Sequence, residues 1–189
     1  MKLSFEGALA GHSAALASLP ALSSVIDAAT AELAAAAKNG GVIYWLGNGG
    51  SAADAQHYAA ELMVRYTRNR EPIASIALTT DTSLLTAHSN DYEYETVFSR
   101  QVKALVTEKD VVVGISTSGN SENVLLALQE AKSKGAVTIA LLGRDGGRIA
   151  LKVDYPIIVE STTTAHIQEC HLIIGHYMCD CVENRFSDI

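Results

Sequence analysis

This sequence of 189 residues is short of cysteine (three), proline (three) and aromatic side chains (6%), and its basic residues are fewer than its acidic ones, 14 against 21. Each shortage removes a class of protein. Cys170, Cys179 and Cys181 are odd in number, and the last two lie two apart on an expected helix, pointing roughly 160° away from each other. That spacing fits neither a disulfide framework nor a zinc cage of two CxxC pairs, so all three read as buried, reduced packing residues. A net charge of −7 provides no basic face for non-specific nucleic-acid binding. A small anionic ligand stays allowed, because helix N-termini bind phosphate whatever the global charge. No apolar run reaches the roughly 18 residues a membrane helix needs. The opening "MKLSFEGALAGHSAAL" sets Glu6 and His12 where a leader peptide would be cleanly apolar. A cytoplasmic protein with no membrane partner is expected. Nucleotide signatures are missing too. No Gly-Lys-Ser/Thr follows a glycine loop, and "GNGGSAA" is not a clean GxGxxG with an acidic residue after the next strand.

What is present is a repeating theme. "GVIYWLG" is followed by "NGGS" and a helix, "DVVVGIS" by "TSGNS" and a helix, and "AVTIALLG" by "RDGG". Short Val/Ile runs alternating with helices indicate parallel strands buried on both faces. Five strands are expected near residues 42–46, 73–78, 110–115, 136–142 and 155–159. Residues 13–38 have a helical apolar rhythm that stops at Asn39-Gly40-Gly41, and "TTAHIQECHLIIGHYMCDCVENRF" reads as a long apolar helix. No Ser/Pro-rich linker divides the chain, and 48% of it is hydrophobic, so a single α/β domain spanning 1–189 is expected. The first and last helices leave more apolar surface than one small sheet covers, which points to a homo-oligomer built through helix packing.

In open parallel sheets, ligands bind beyond the carboxyl ends of the strands. Two loops fit that place. Gly47-Asn48-Gly49-Gly50-Ser51 has three glycines that allow positive φ and close backbone approach to a ligand. Ser116-Thr117-Ser118-Gly119-Asn120-Ser121 offers four hydroxyls, with Ser121 placed to cap a helix starting at Glu122. Such a site holds phosphate without Lys or Arg. Either loop alone is adequately explained as a tight strand-to-helix turn; two at equivalent strand ends favour an anion site. "GRDGG" at 143–147 reads as a turn.

On the helix after the first loop, His57 and Glu61 stand about 6 Å apart along the axis on one face. They can share a metal or form an acid–base pair, or be a solvated i,i+4 pair. The last helix holds Gln168, Glu169, His171 and His176. His171 and His176 are roughly 140° apart around it. Gln168 and His176 are about 80° apart but some 12 Å along the axis, too far for one metal unless the helix bends, the depths differ or two subunits contribute.

At "GNGGSAADAQHYAAEL", "SND", "GISTSGNSENV", "DGG" and "HIQECHLIIGH" the sequence resembles the phosphoheptose (sedoheptulose 7-phosphate) isomerases of the sugar isomerase (SIS) domain class, in order over residues 40 to about 180. The resemblance implies a three-layer α/β/α sandwich with a five-stranded parallel sheet plus N-terminal helices. It implies a homotetramer with sites at subunit interfaces, and interconversion of D-sedoheptulose 7-phosphate and D-glycero-D-manno-heptose 7-phosphate for lipopolysaccharide or capsule. It carries zinc (Zn2+) ligand roles onto His57, Glu61, Gln168 and His176, and an acid–base pair onto Glu61 and His176. Substrate-loop roles fall on Asn48, Gly49, Gly50 and Ser51, a further substrate role on Asn90 and Asp91, and phosphate binding on Ser116, Thr117, Ser118 and Ser121; Glu61 and Gln168 would also touch substrate. His166 departs from the Arg common in relatives, and His171 is left a packing or supporting role. Tyr92, Tyr94 and Arg65 are read as surface or interface packing. Two rivals are a non-catalytic SIS-domain regulator, like the family member that binds the bacterial replication initiator, and an isomerase of another phosphosugar. The first lacks counterparts of Glu61 and of the terminal His; both are present here.

Overall fold

A computed structural model describes residues 4–187; the ends of the 1–189 span, including Met1 to Leu3 of the opening stretch, lie outside the described residues. The order is α1 (Phe5–Leu16), a 3-10 turn (Leu19–Leu22), α2 (Ser23–Lys38), β1 (Ile43–Gly47), α3 (Gly50–Met63), β2 (Ser75–Ala77) and α4 (Thr82–Asp91). After a 3-10 turn at Tyr94–Thr96 come α5 (Val97–Leu105), β3 (Val111–Ser116), α6 (Glu122–Ser133), β4 (Val137–Gly143), β5 (Tyr155–Val159) and α7 (Thr164–Ser187). The strands form one parallel sheet in the order β2-β1-β3-β4-β5. The five expected strands are present, each within about two residues of its expected place. Helices α4 and α5 were not foreseen, because "TSLLTAHSND" is too polar and "VFSRQVKAL" too short for a clear rhythm.

Alternation along each strand divides the core in two. Ile43, Trp45, Val111, Val113, Ile139, Leu141 and Ile157 face α2, α3 and α7, whereas Tyr44, Leu46, Val112, Ala140 and Leu142 face α5 and α6. This is the three-layer α/β/α arrangement, and it explains why the central strand runs are almost wholly apolar, with Thr138 of β4 a buried polar exception. The edge strand β2 departs from that rule, with Ile76 exposed. Trp45 is fully buried, donates its indole N–H to Ser75 Oγ at 2.9 Å and meets Tyr58 of α3 with ring centres 5.2 Å apart. Burying a side chain of that size contributes about 3 kcal/mol.

The stretch Phe5–Lys38 contains an 18-residue window whose mean hydropathy is high enough, by length and composition, to cross a membrane, although polar residues such as Glu6, His12 and Asp27 interrupt the stretch. In the structure it is two helices broken at Pro20. Of these, α2 buries Ile26, Ala29, Leu33 and Ala34 in the core. In α1 only Ala15 is buried.

Candidate active site

Strand order turns about between β1 and β3: the chain leaves β1 toward β2 on one side and returns to β3 on the other. That switch point opens a crevice at the carboxyl ends of two adjacent strands, and both expected loops lie there. After β1, Gly49 adopts φ 57°, and α3 starts at Gly50. The amide of Asn48 exchanges two 2.8 Å hydrogen bonds with that of Asn123 on α6, and Tyr94 Oη donates to Asn48 Oδ1 at 3.0 Å. So Tyr94 borders the loop, contrary to its reading as surface packing. Asn123, almost fully buried, ties the two loops together and was not singled out from sequence; an isolated Asn in a helix's first turn gives no pattern to notice.

After β3, Gly119 takes φ 66° and the hydroxyls cluster: Ser116 Oγ lies 2.9 Å from Ser121 Oγ and 3.5 Å from Ser118 Oγ. Ser121 stands at the N-cap position of α6, but its hydroxyl does not cap the helix; it turns back to Ser116. The Val124 N–H is taken by Asn123 Oδ1 at 3.0 Å, and Ser121 leaves the N–H groups of Glu122 and Asn123 uncapped with the hydroxyls gathered near that end of α6, an arrangement suited to an anion. "GRDGG" is a turn, as expected, with Arg144 at φ 59°. Arg144 and Asp145 share a polar hollow of about 600 Å3 with Ser118 and Asn120.

The titratable groups come from α3 and α7. His57 Nε2 lies 2.8 Å from His176 Nε2 and 3.6 Å from Glu61 Oε1, although 119 residues separate the two histidines. A glycine makes this approach possible: a Cβ at Gly175 would stand 2.2 Å from the Tyr58 ring. Tyr58 is fully buried and donates its hydroxyl to the His171 carbonyl at 2.9 Å, pinning α3 to α7 one residue from His57. Burial, with the Asp54 charge next, pushes the Tyr58 phenol far above its ordinary value, so it stays a donor. Tyr66 stacks on His176, ring centres 5.7 Å apart. The loop carrying Tyr66 is gripped by the buried Glu183 carboxylate, which accepts from the N–H groups of Tyr66, Thr67 and Arg68 at 2.7–2.9 Å. Arg70, beside Glu183 at 3.2 Å, donates to the Glu61 carbonyl at 3.0 Å.

Gln168, near the start of α7, reaches the first turns of α3. Its amide packs on Gly50, where a Cβ would stand 2.5 Å away, and donates to Asp54 Oδ1 at 3.3 Å. The other carboxylate oxygen, Asp54 Oδ2, is buried without a hydrogen-bond partner. Burial raises the Asp54 carboxyl above the usual range, opposed by the Gln168 hydrogen bond and by His57 and His176. Asp54 was not picked from sequence, although it lies three residues before His57 on the same helix. Asn90 and Asp91 pair with each other at 2.9 Å, and among the described residues no hydrogen bond joins them to either loop. His171 is fully buried, with Nε2 2.9 Å from the Leu142 carbonyl oxygen, and burial lowers it to about 4, so it is a neutral packing residue, as expected. Cys170 and Cys179 are buried free thiols as expected, whereas Cys181 is only partly buried.

With His57 between them, His176 and Glu61 bring a second imidazole and a carboxylate to 2.8 and 3.6 Å from its Nε2; these are zinc ligands by type, and beside Gln168 the buried Asp54 Oδ2 has no hydrogen-bond partner. The donor set therefore fits the metal.

Comparison with known proteins identifies the family. A SIS domain family model matches residues 10–143. The phosphoheptose isomerase of Aquifex aeolicus is 54% identical over 156 residues, 82% of each chain, and that of Helicobacter pylori is 49% identical over 179 residues, 95% of this chain and 93% of the other. The solved phosphoheptose isomerase of Neisseria gonorrhoeae superposes with a TM-score of 0.89 at 44% identity, covering 95% of this chain and 96% of its own. The Francisella tularensis enzyme gives 0.87 at 35%, covering 95% and 94%. The chain belongs to the SIS domain family, and within it to the phosphoheptose isomerases.

Proposed function

We propose that this protein interconverts D-sedoheptulose 7-phosphate and D-glycero-D-manno-heptose 7-phosphate, moving a proton between C1 and C2 through an enediol. The observation that carries the reading is the contact of His57 with both His176 and Glu61, and it is supported by the hydroxyl cluster at the start of α6. Aldose–ketose exchange needs a base at carbon, a proton donor at oxygen and a fixed substrate. Glu61 removes and returns the carbon proton. His176 moves the second proton, its ring held by Tyr66 and by His57. Ser116, Thr117, Ser118 and Ser121 hold the phosphate at the N-terminus of α6, remote from the chemistry, and supply orientation. Asn48, Gly49, Gly50 and Ser51 line the sugar between them.

Zinc belongs to this proposal. His57, Glu61 and His176 would hold it, with Gln168 of α7 meeting Asp54 one turn before His57, and when bound it would supply Lewis-acid polarisation of the substrate oxygen. A carboxylate shared with a metal is a weaker base, so Glu61 acts on carbon as a loosely held ligand.

A homotetramer with sites at its interfaces is the assembly we propose. Exposed Phe5 and Leu9 on α1 and Ile173 and Tyr177 on α7 leave an apolar flank, and a groove of about 450 Å3 lies between α2 and α7. Asn90 and Asp91 are assigned to a neighbouring protomer's site in this reading. A cytoplasmic enzyme supplying heptose to lipopolysaccharide or capsule completes the proposal. A phosphosugar-sensing regulator has no use for converging Glu61 and His176. The test is incubation with sedoheptulose 7-phosphate, followed by NMR. Appearance of the aldose 7-phosphate is expected; tight binding without conversion would leave a sensor.

A further inference from the structure

A second cluster of donors lies on the other side of α7. His166 and Glu169 stand three apart on that helix, and His12 reaches them from α1. His12 Nδ1 is 2.6 Å and His166 Nδ1 3.3 Å from Glu169 Oε2, and the three ligand atoms all lie within 4.8 Å of one another. Among the described residues this is the one group of three or more His, Cys, Asp or Glu side chains gathered so closely. It is built in, not incidental. Gly11 lets α1 come close: a Cβ there would stand 2.6 Å from His166 Nε2. The two rings meet edge to face, 6.3 Å apart, so both nitrogens are aimed at one carboxylate without the rings stacking. Side chains at 168 and 169 diverge by about 100° around the helix. Gln168 therefore serves α3 while Glu169 serves α1, and the two clusters are separate.

We propose that His12, His166 and Glu169 form a second divalent transition-metal site, distinct from the one at His57 and His176, which fastens α1 to α7. Two imidazoles and one carboxylate are a borderline donor set that takes zinc, cobalt, nickel or copper in preference to magnesium or calcium. Zinc donors spaced about 3–4 Å apart need only a small adjustment from the separations seen. Three protein ligands leave a coordination position to water, and Glu169 is half exposed, so the ion exchanges with solvent. The consequence follows from how little else holds α1. With Ala15 its only buried residue, α1 has few apolar contacts to anchor it, and occupancy of this site sets how firmly it docks. The site stands whether or not the isomerase reading does.

The test uses chelator-stripped full-length protein titrated with zinc alone, read by binding stoichiometry and by amide hydrogen exchange of residues 5–16. In a His57→Ala/His176→Ala background, one zinc per chain is expected, and zinc slows exchange in residues 5–16 at least about tenfold. Adding His166→Arg removes both effects, since Arg keeps a charge pair to Glu169 but offers no lone pair to a metal. His12→Ala does the same. Should the double variant not fold, the same two substitutions in the wild-type background each lower the stoichiometry by one equivalent. Unchanged stoichiometry in both His12→Ala and His166→Arg, or exchange in residues 5–16 indifferent to zinc, overturns the proposal. Loss of sugar-phosphate turnover is not part of this readout.

Discussion

The loop after β1 and the loop after β3 share a backbone plan: each leaves a central parallel strand, passes a glycine at positive φ (57° at Gly49, 66° at Gly119) and enters a helix. They differ in what the helix carries. Within three turns of the first loop, α3 presents Asp54, His57 and Glu61. Helix α6 presents Asn123, which ties back to Asn48, and then Val124, Leu125, Ala127 and Leu128, all buried in the core. Its one acidic residue in the first turn, Glu122, is taken by Arg148 at 2.6 Å. The second loop can therefore hold a ligand but has nothing to do chemistry with. One backbone device, used twice at a switch point, serves reaction on one strand and anchorage on the next.

Substitutions can break that division. The largest effect is expected at Glu61. Glu61→Gln should lower kcat by about 10^3-fold or more with an unchanged circular dichroism spectrum, because a base has been removed and its shape kept. His176→Gln should cost about 10^2-fold in kcat. Across the crevice the signature should be different. Ser121→Ala or Ser116→Ala should raise KM about tenfold, the worth of one hydrogen bond to a charged group, while kcat stays within about twofold. A kcat loss at Ser121 matching that at Glu61 would erase the distinction between the loops.

Smaller effects test the scaffold that brings α3 to α7. Gly175→Ala places a methyl group against the Tyr58 ring and should destabilise the fold by about 1–3 kcal/mol, seen as a lower urea midpoint. The smallest effect is a pH dependence at Glu183. Burial alone would raise this carboxyl, but hydrogen bonds from Thr67, Tyr66 and Arg68 outweigh it and lower it below the ordinary 4.5. The unfolded chain then binds the proton more readily than the folded one. The contribution of Glu183 to stability is complete above about pH 4.5 and is lost as pH falls through the lowered folded value. The stability difference between wild type and Glu183→Gln should shrink in that acid range; a constant difference would contradict the assignment.

How much of this is legible in the sequence depends on distance along the chain. The strands announce themselves, because burial on both faces forces unbroken Val/Ile runs. His57 with Glu61 is legible from helical spacing alone. The partnership of His57 with His176 is not, since nothing local relates residues 119 apart; a family resemblance supplied it. Gly175 and Gly50 look like helix defects in sequence, and only packing shows each as the space for a partner, Tyr58 and Gln168 respectively. Asp54 and Asn123 were passed over because a single polar residue on a helix carries no periodic signal. Ser121 was given the right position and the wrong partner: a hydroxyl beside a helix start can cap it or join a neighbouring cluster, and sequence does not choose between them.

The most direct test of the central claim, that Glu61 and His176 act together on one sugar, is proton exchange. Sedoheptulose 7-phosphate is incubated in deuterated water with wild type and with Glu61→Gln, each confirmed by titration to bind it, and deuterium at C1 and conversion to the aldose are followed by NMR. Wild type is predicted to do both and Glu61→Gln neither. Exchange and conversion by Glu61→Gln at the wild-type rate would contradict the account.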